Sequence, residues 1–491
     1  MKLAPLAFAL IPWAAGAAAL PADAASKAAV FALIVGVNQA DDPKLPVLRY
    51  ADDDAARYVD LFRALGARTF LLTRLDENTR RLHPQAAAEA AEPRLAQLAA
   101  QARQLRAEVA LAHARGVPSI VYFIYAGHGE LRNGQGSIRL EDGALTGAEL
   151  SRDVLSGLDA ERVHVIVDAC YSYYLAYARG PGGSRRPSAG FAALSGLGTD
   201  DRVGLLLSTS SARESHEWEG FQAGVFHHEV RSGLYGAADS DGDGVVSYRE
   251  IAAFVERANG AIANERFRPQ VYARPPRGGE ALLDLRPGLS RRLEIPPQAA
   301  GHYELEDGEG VRLAEFHSGP TQEVRLLRPA GRGLLYLHKT GEAQEWPLPT
   351  GEEVVRLGQL VPQPPRVERR GAAHEAFQHL FELPFEAASV TRYRYPVPPE
   401  ALAELPTPVR RRAVPWLLGG AGAMAVASAV TASFARSEAS DLRANASNAE
   451  VGARNDRIAR LNVATVVLLG AAAVSVAIGV GFLAAGSADE P

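Results

Sequence analysis

Two short apolar runs, each closed by a compact polar motif, constrain this chain more than any other feature. Ser119-Ile-Val-Tyr-Phe-Ile124 leads into Tyr-Ala-Gly-His-Gly at 125–129, and Val163-His-Val-Ile-Val167 leads into Asp-Ala-Cys-Tyr-Ser at 168–172. Runs this short, rich in β-branched and aromatic side chains, predict buried parallel strands. Open α/β sheets form their functional crevice beyond the carboxyl ends of the strands, which is where His128 and Cys170 fall. A thiol is a strong nucleophile only as thiolate, and a neighbouring imidazole can take its proton. Cys170 is the single cysteine in 491 residues, so no disulfide partner competes for it. The alternative is a packing thiol beside an incidental histidine; two such residues at two strand ends favour the catalytic pair.

The surrounding segments supply the rest of an α/β pattern. Lys27 to Val37 holds a first strand, Thr69 to Leu72 a second, and Arg202 to Ser208 another. Between them, Ala51 to Leu65 places Ala55, Tyr58, Val59 and Phe62 on one helical face. Gln85 to Ala114, after Pro84, is rich in Ala, Gln and Arg and predicts one long helix or two. Strands alternating with helices imply a mostly parallel sheet covered on both faces.

His-Gly followed by Asp-x-Cys at adjacent strand ends resembles the caspase and metacaspase clan of cysteine peptidases, over about Ala29 to Tyr272. His128 and Cys170 are 42 positions apart, against roughly 50 in caspases. Asp168-Ala169-Cys170 is closer to metacaspases and bacterial caspase-like proteins than to the Gln-Ala-Cys of animal caspases. The resemblance implies a His128/Cys170 dyad acting on protein or peptide substrates, with the backbone N–H groups of Cys170 and Gly129 holding the oxyanion. It also implies an acidic specificity pocket. Leu48-Arg-Tyr-Ala-Asp-Asp-Asp-Ala55 is similar to the metacaspase segment whose last acid, here Asp54, lines that pocket, and Asp168 matches the second. Two carboxylates in a cleft would select Arg or Lys. Asp54 has a competing reading as a helix N-terminal charge, a role Asp52 and Asp53 fill equally. Tyr171 and Tyr173 depart from the metacaspase Cys-His-Ser-Gly. Ala178 to Asp200, with Arg-Gly-Pro-Gly-Gly-Ser-Arg-Arg-Pro-Ser inside it, reads as a surface loop at the place where many relatives are cleaved.

A second motif follows the catalytic half. Asp239-Ser-Asp-Gly-Asp-Gly-Val-Val-Ser-Tyr-Arg-Glu250 fits an EF-hand calcium loop at every ligand position. Asp239, Asp241 and Asp243 supply carboxylates, Val245 a backbone carbonyl, Ser247 a water-mediated contact and Glu250 a bidentate carboxylate. Val230, Leu234 and Tyr235 before the loop, and Ile251, Phe254 and Val255 after it, give the flanking helices their apolar sides. A lone loop of this kind points to a structural Ca2+.

Both ends of the chain read as membrane-directed. Residues 1–24 carry Lys2, an apolar stretch to Leu20 and Ala22-Asp23-Ala24, the pattern of a secretory signal peptide. After the peptidase-like region at 28–285, short alternating runs over 290–360 predict a small β-rich domain whose partner is not readable. A Pro- and Arg-rich tether follows at 361–412, with a short helix around His374 to Phe381. Residues 416–434 and 463–485 are apolar enough to be transmembrane helices, with Arg436, Arg443, Arg454, Arg457 and Arg460 in the connecting stretch. Abundant Ala and Arg suggest a bacterial genome. The expected setting is a bacterial cell envelope, with the catalytic part outside the cytoplasm. The formal net charge of −5 argues against nucleic-acid binding. The competing functional class is a catalytically idle, calcium-stiffened scaffold of the same fold.

Overall fold

The computed structural model describes residues 28–132, 135–169, 175, 197, 200–208, 217–218, 222–264, 268–269, 271–366, 379–395, 407–440 and 448–486. The stretch read as a signal peptide, Cys170 and nearly all of the segment 178–200 lie outside the described residues. The chain divides into two compact units, Met1–Pro396 and Val397–Pro491.

The first unit is built on a six-stranded sheet. Its strands are β1 (Ala29–Gly36), β2 (Arg68–Thr73), β3 (Ser119–Ala126), β4 (Arg162–Asp168), β5 (Val203–Ser208) and β6 (Val271–Arg274). They lie in the order β6-β5-β4-β3-β1-β2, all parallel except β6, which pairs antiparallel with β5. Successive residues of each strand enter two different cores, as the two-residue strand period requires. Phe31, Leu33, Val121, Phe123, Val163 and Val165 pack beneath helix α2 (Leu95–Ala114). Ala32, Ile34, Tyr122, Ile124 and Ile166 pack on the opposite face, toward α1 (Ala51–Ala64), α3 (Val225–Ser232) and α4 (Tyr248–Ala258). The fold is therefore α/β with a mostly parallel sheet flanked by helices, as the strand pattern predicted.

The Gln85–Ala114 stretch resolves into two pieces, a short turn of helix at Pro84–Ala87 and α2. Between them Ala91 bridges to Leu72 beside β2, and Pro93 precedes the new start. Proline disfavours helix in the residue before it, so the helix restarts only afterwards.

The β-rich region forms a three-stranded and a four-stranded sheet between Arg292 and Arg356. Its Leu293, Tyr303, Leu313 and Phe316 share one continuous apolar core with Phe254 and Ile251 of α4. Within the stretch read as a tether, Leu380, Phe381, Phe385 and Tyr393 are buried in that same core. These residues are therefore part of the first unit's core. Most of the short helix expected around 374–381 lies outside the described residues.

The second unit contains two long helices, Thr407–Ser440 and Asn448–Gly486. Trp416–Ser440 and Glu450–Ile478 are long and apolar enough to cross a membrane, with mean hydropathy 1.6 and 2.2. They pack through small residues, with Ser428 and Ala435 buried and Thr431 bonded to Thr465 at 2.7 Å. Most of the expected Arg-bearing connection is helical. Arg454 and Arg457 belong to the second helix and pair with Glu438 of the first at 3.1 and 3.0 Å.

Candidate active site

Register alone brings the two motifs side by side. Gly36, Ala126 and Asp168 lie abreast at the carboxyl ends of β1, β3 and β4. His128 stands two residues beyond Ala126, and Cys170 two residues beyond Asp168. The Gly127 N–H donates to the Asp168 carbonyl at 3.3 Å, tying the histidine loop to the segment that enters Cys170. Tyr125 secures the loop: its hydroxyl lies 2.6 Å from the Arg139 carbonyl and 2.9 Å from that of His128, either of which can accept its one proton.

His128 is buried, with 4% of its surface exposed. Its Nε2 lies 2.7 Å from the Pro46 carbonyl, which can only accept a hydrogen bond. Nε2 therefore carries the proton, and Nδ1 is the nitrogen left able to accept one. Burial holds the imidazole below its usual pKa; the Pro46 bond opposes this and the Arg139 charge reinforces it. The shift favours the neutral ring, the form a general base requires. Sequence reasoning missed Pro46, because a backbone carbonyl leaves no trace in a residue pattern. Gly129 opens the strand after the histidine and pairs with Ile138.

Asp54 and Asp168, the two acids expected to line a pocket, also come together. Asp54 sits in the first turn of α1, directly over Gly36, where a Cβ would stand 2.3 Å from the Ala51 carbonyl oxygen. Glycine there lets α1 start against the end of β1. Asp54 Oδ2 accepts the Gly224 N–H at 2.8 Å, and Oδ1 accepts from Arg231 of α3 at 3.0 Å. A Cβ on Gly224 would lie 3.2 Å from both Asp54 Oδ2 and Asp168 Oδ2, so the two carboxylates flank this one glycine.

Burial raises the pKa of both acids. Arg231 and Arg57 oppose it at Asp54; His227 and Ser208 oppose it at Asp168, while Asp54 adds to it. A third acid, Glu217, faces Gly224 across a two-residue strand pair. It accepts the Arg49 and Tyr50 N–H groups and is raised by burial, with Asp54 and Asp168 contributing. No motif marks Glu217, and only the folded chain brings it here. Behind Asp168, His227 bonds to the Tyr58 hydroxyl and the Tyr125 carbonyl, both at 3.1 Å. Burial pushes it down to about 4.

In the acidic loop, one carboxylate oxygen from each of Asp239, Asp241 and Asp243 falls within 4.8 Å of the others. Gly242 and Gly244 take φ of 73° and 82°, the left-handed turn that lets the loop close. Ser247 caps α4 and Glu250 completes the capping box, its Oε1 also accepting from Ser240. Val245 begins a short strand paired with Asp284. Burial, with Glu250 and Asp243 nearby, pushes Asp239 up to about 6. Hard carboxylate oxygens gathered in this way suit a calcium ion.

No protein-family model and no curated protein matches the chain. Solved structures do. The chain is similar to the Drosophila initiator caspase Dronc, with TM-score 0.32 and 9% identity over 53% of this chain and 84% of that one. It is also similar to pro-sf-caspase-1, with TM-score 0.30 and 12% identity over 51% and 92% of the two chains.

Proposed function

We propose that this chain is a membrane-anchored cysteine endopeptidase of caspase-like type that cleaves proteins or peptides after Arg or Lys. The observation that carries the reading is the Gly127–Asp168 backbone bond at aligned strand ends, with the Pro46-held His128 next to Gly127 in the chain.

In this mechanism His128 Nδ1 takes the proton of Cys170, and the thiolate sulfur bonds to the scissile carbonyl carbon. The N–H groups of Cys170 and Gly129 stabilise the resulting oxyanion. His128 then gives its proton to the departing amine as the C–N bond breaks, leaving a thioester. Water, deprotonated by His128, releases the acyl product and restores the thiol. Asp168, beside Asp54 and Glu217, attracts the substrate's basic side chain. The Arg231 ion pair offsets the charge of Asp54; among the described residues, Asp168 and Glu217 form no ion pair with an arginine.

Asp239, Asp241, Asp243, Glu250, the Val245 carbonyl and, through water, Ser247 would hold a structural Ca2+. Bound there, the ion would supply the positive charge that these gathered carboxylates lack. The two apolar helices would anchor the protein, with the catalytic unit outside the cytoplasm. The deciding experiment is a positional-scanning peptide library with purified protein, using Cys170→Ala as control. Cleavage after Arg or Lys by the native chain alone is the expected result; equal activity in Cys170→Ala would overturn the proposal.

A further inference from the structure

The β-rich region and α1 enclose a cleft of about 250 Å³ whose wall is strongly basic. Arg63 and Asp60 enter it from α1, His83 from the C-terminal end of the short helix Glu77–Leu82, and Arg291, Arg328 and Arg332 from the β-rich side. Gly288 makes the enclosure possible, since a Cβ there would meet the Leu327 and Leu65 side chains at 2.9 and 3.0 Å.

The charges do not balance within the cleft. Among the described residues Asp60 is the one acid in the wall, and it is already taken by His83 and Arg332. Arg332 has a second acid in Asp307, and Arg63 is paired with Glu89. Among the described residues, no carboxylate forms an ion pair with Arg291 or Arg328. Arg328 is 4% exposed, and its terminal nitrogens reach only the backbone carbonyls of Glu352 and Pro349. The Nε atoms of Arg291 and Arg328 are both buried and without a hydrogen-bond partner.

The backbone holds these two cations together. Arg292 and Leu327 are an antiparallel register pair, and the Arg328 N–H donates to the Arg291 carbonyl at 2.9 Å. Arg291 and Arg328 are thus cross-strand neighbours of like charge, an arrangement that destabilises a sheet unless an anion intervenes. Burial and the Arg291 charge lower the affinity of Arg328 for its proton, opposed in part by the Glu352 carboxylate. Two guanidinium groups with idle Nε donors match the planar fork that recognises oxyanions.

We propose that this cleft binds a compact phosphate-bearing anion between Arg291 and Arg328, clamping the β-rich region to α1. The volume is slightly below the roughly 300–1,000 Å³ of ordinary ligand pockets, which favours a small charged group over a large apolar one. This site does not depend on the peptidase reading.

The test uses the full chain in detergent, in calcium-free buffer at constant ionic strength, titrated calorimetrically with inorganic pyrophosphate. In a second arm, vesicles containing phosphatidylglycerol ask whether the phosphate comes from a lipid headgroup instead. Binding in either arm supports the phosphate chemistry and assigns its source. Arg291→Gln should weaken it by about tenfold or more, the value of a charge-assisted hydrogen bond. Arg291→Lys, which keeps the charge but not the fork, should fall between. In phosphate-free buffer Arg291→Gln should also melt higher than the native chain, because the cross-strand repulsion is gone. Binding in neither arm at millimolar phosphate, or equal binding by Arg291→Gln, would overturn the proposal.

Discussion

Arg231 and Asp54 form an ion pair of 3.0 Å that is sealed from solvent, joining α3 to the first turn of α1. The same carboxylate holds the Gly224 N–H and lies across that glycine from Asp168. Asp54 thus does structural work whatever it contributes to substrate binding. Asp54→Asn should strand a buried guanidinium and cost about 3–5 kcal/mol. Asp168→Asn should cost less stability while weakening selection for Arg over neutral residues. Paired urea melts and kcat/KM ratios separate the two; equal stability losses would refute the division of roles.

Gly224→Ala tests the convergence of acids from the other side. Its methyl group would press on both carboxylates at 3.2 Å. KM for Arg peptides should rise severalfold with kcat less affected. An unchanged KM would place substrate binding elsewhere.

The state of His128 predicts a pH profile. Burial keeps its pKa below the ordinary histidine value, so the neutral base persists as the pH falls. The acid limb of kcat/KM, which reports the free enzyme, should therefore lie below about 6.5. His128→Ala and Cys170→Ala should each abolish hydrolysis while leaving the circular dichroism spectrum intact. A limb above that value, or activity in either variant, contradicts the assigned roles.

Asp53 makes a prediction about stability. Burial raises it from 3.8 to about 7, despite Arg57 close by. The folded chain retains this proton after the unfolded chain has lost it. This carboxyl therefore stabilises the fold least at high pH, and its contribution declines as pH rises from about 4 through 7. Melting Asp53→Asn alongside the native chain across that window should show a flatter dependence in the variant.

Calcium should raise the melting temperature through linkage, and Glu250→Gln should weaken binding. With Asp239 pushed up to about 6, affinity should fall as pH drops through that value, since the proton competes with the ion. Calorimetry in millimolar calcium at pH 7.5 and 5.5 measures both effects, and no heat at pH 7.5 would dismiss the site.

Local pattern alone determined several features of this protein. Strand runs, helix faces, the EF-hand spacing and the apolar C-terminal segments are periodicities or fixed offsets, and each is written in neighbouring residues. That the segments bearing His128 and Cys170 follow adjacent strands was legible, because a parallel sheet aligns the ends of those strands. Tertiary structure alone decided what depends on residues distant in the chain. The Pro46 carbonyl on His128, Arg231 on Asp54, Glu217 beside Gly224, and the docking of Phe381 and Phe385 all join segments that no short window spans. The balance between Arg291 and Arg328 is of the same kind. Whether a buried charge meets an acid, a carbonyl or another cation is set by which strands pair, and pairing follows from burying the whole apolar surface at once.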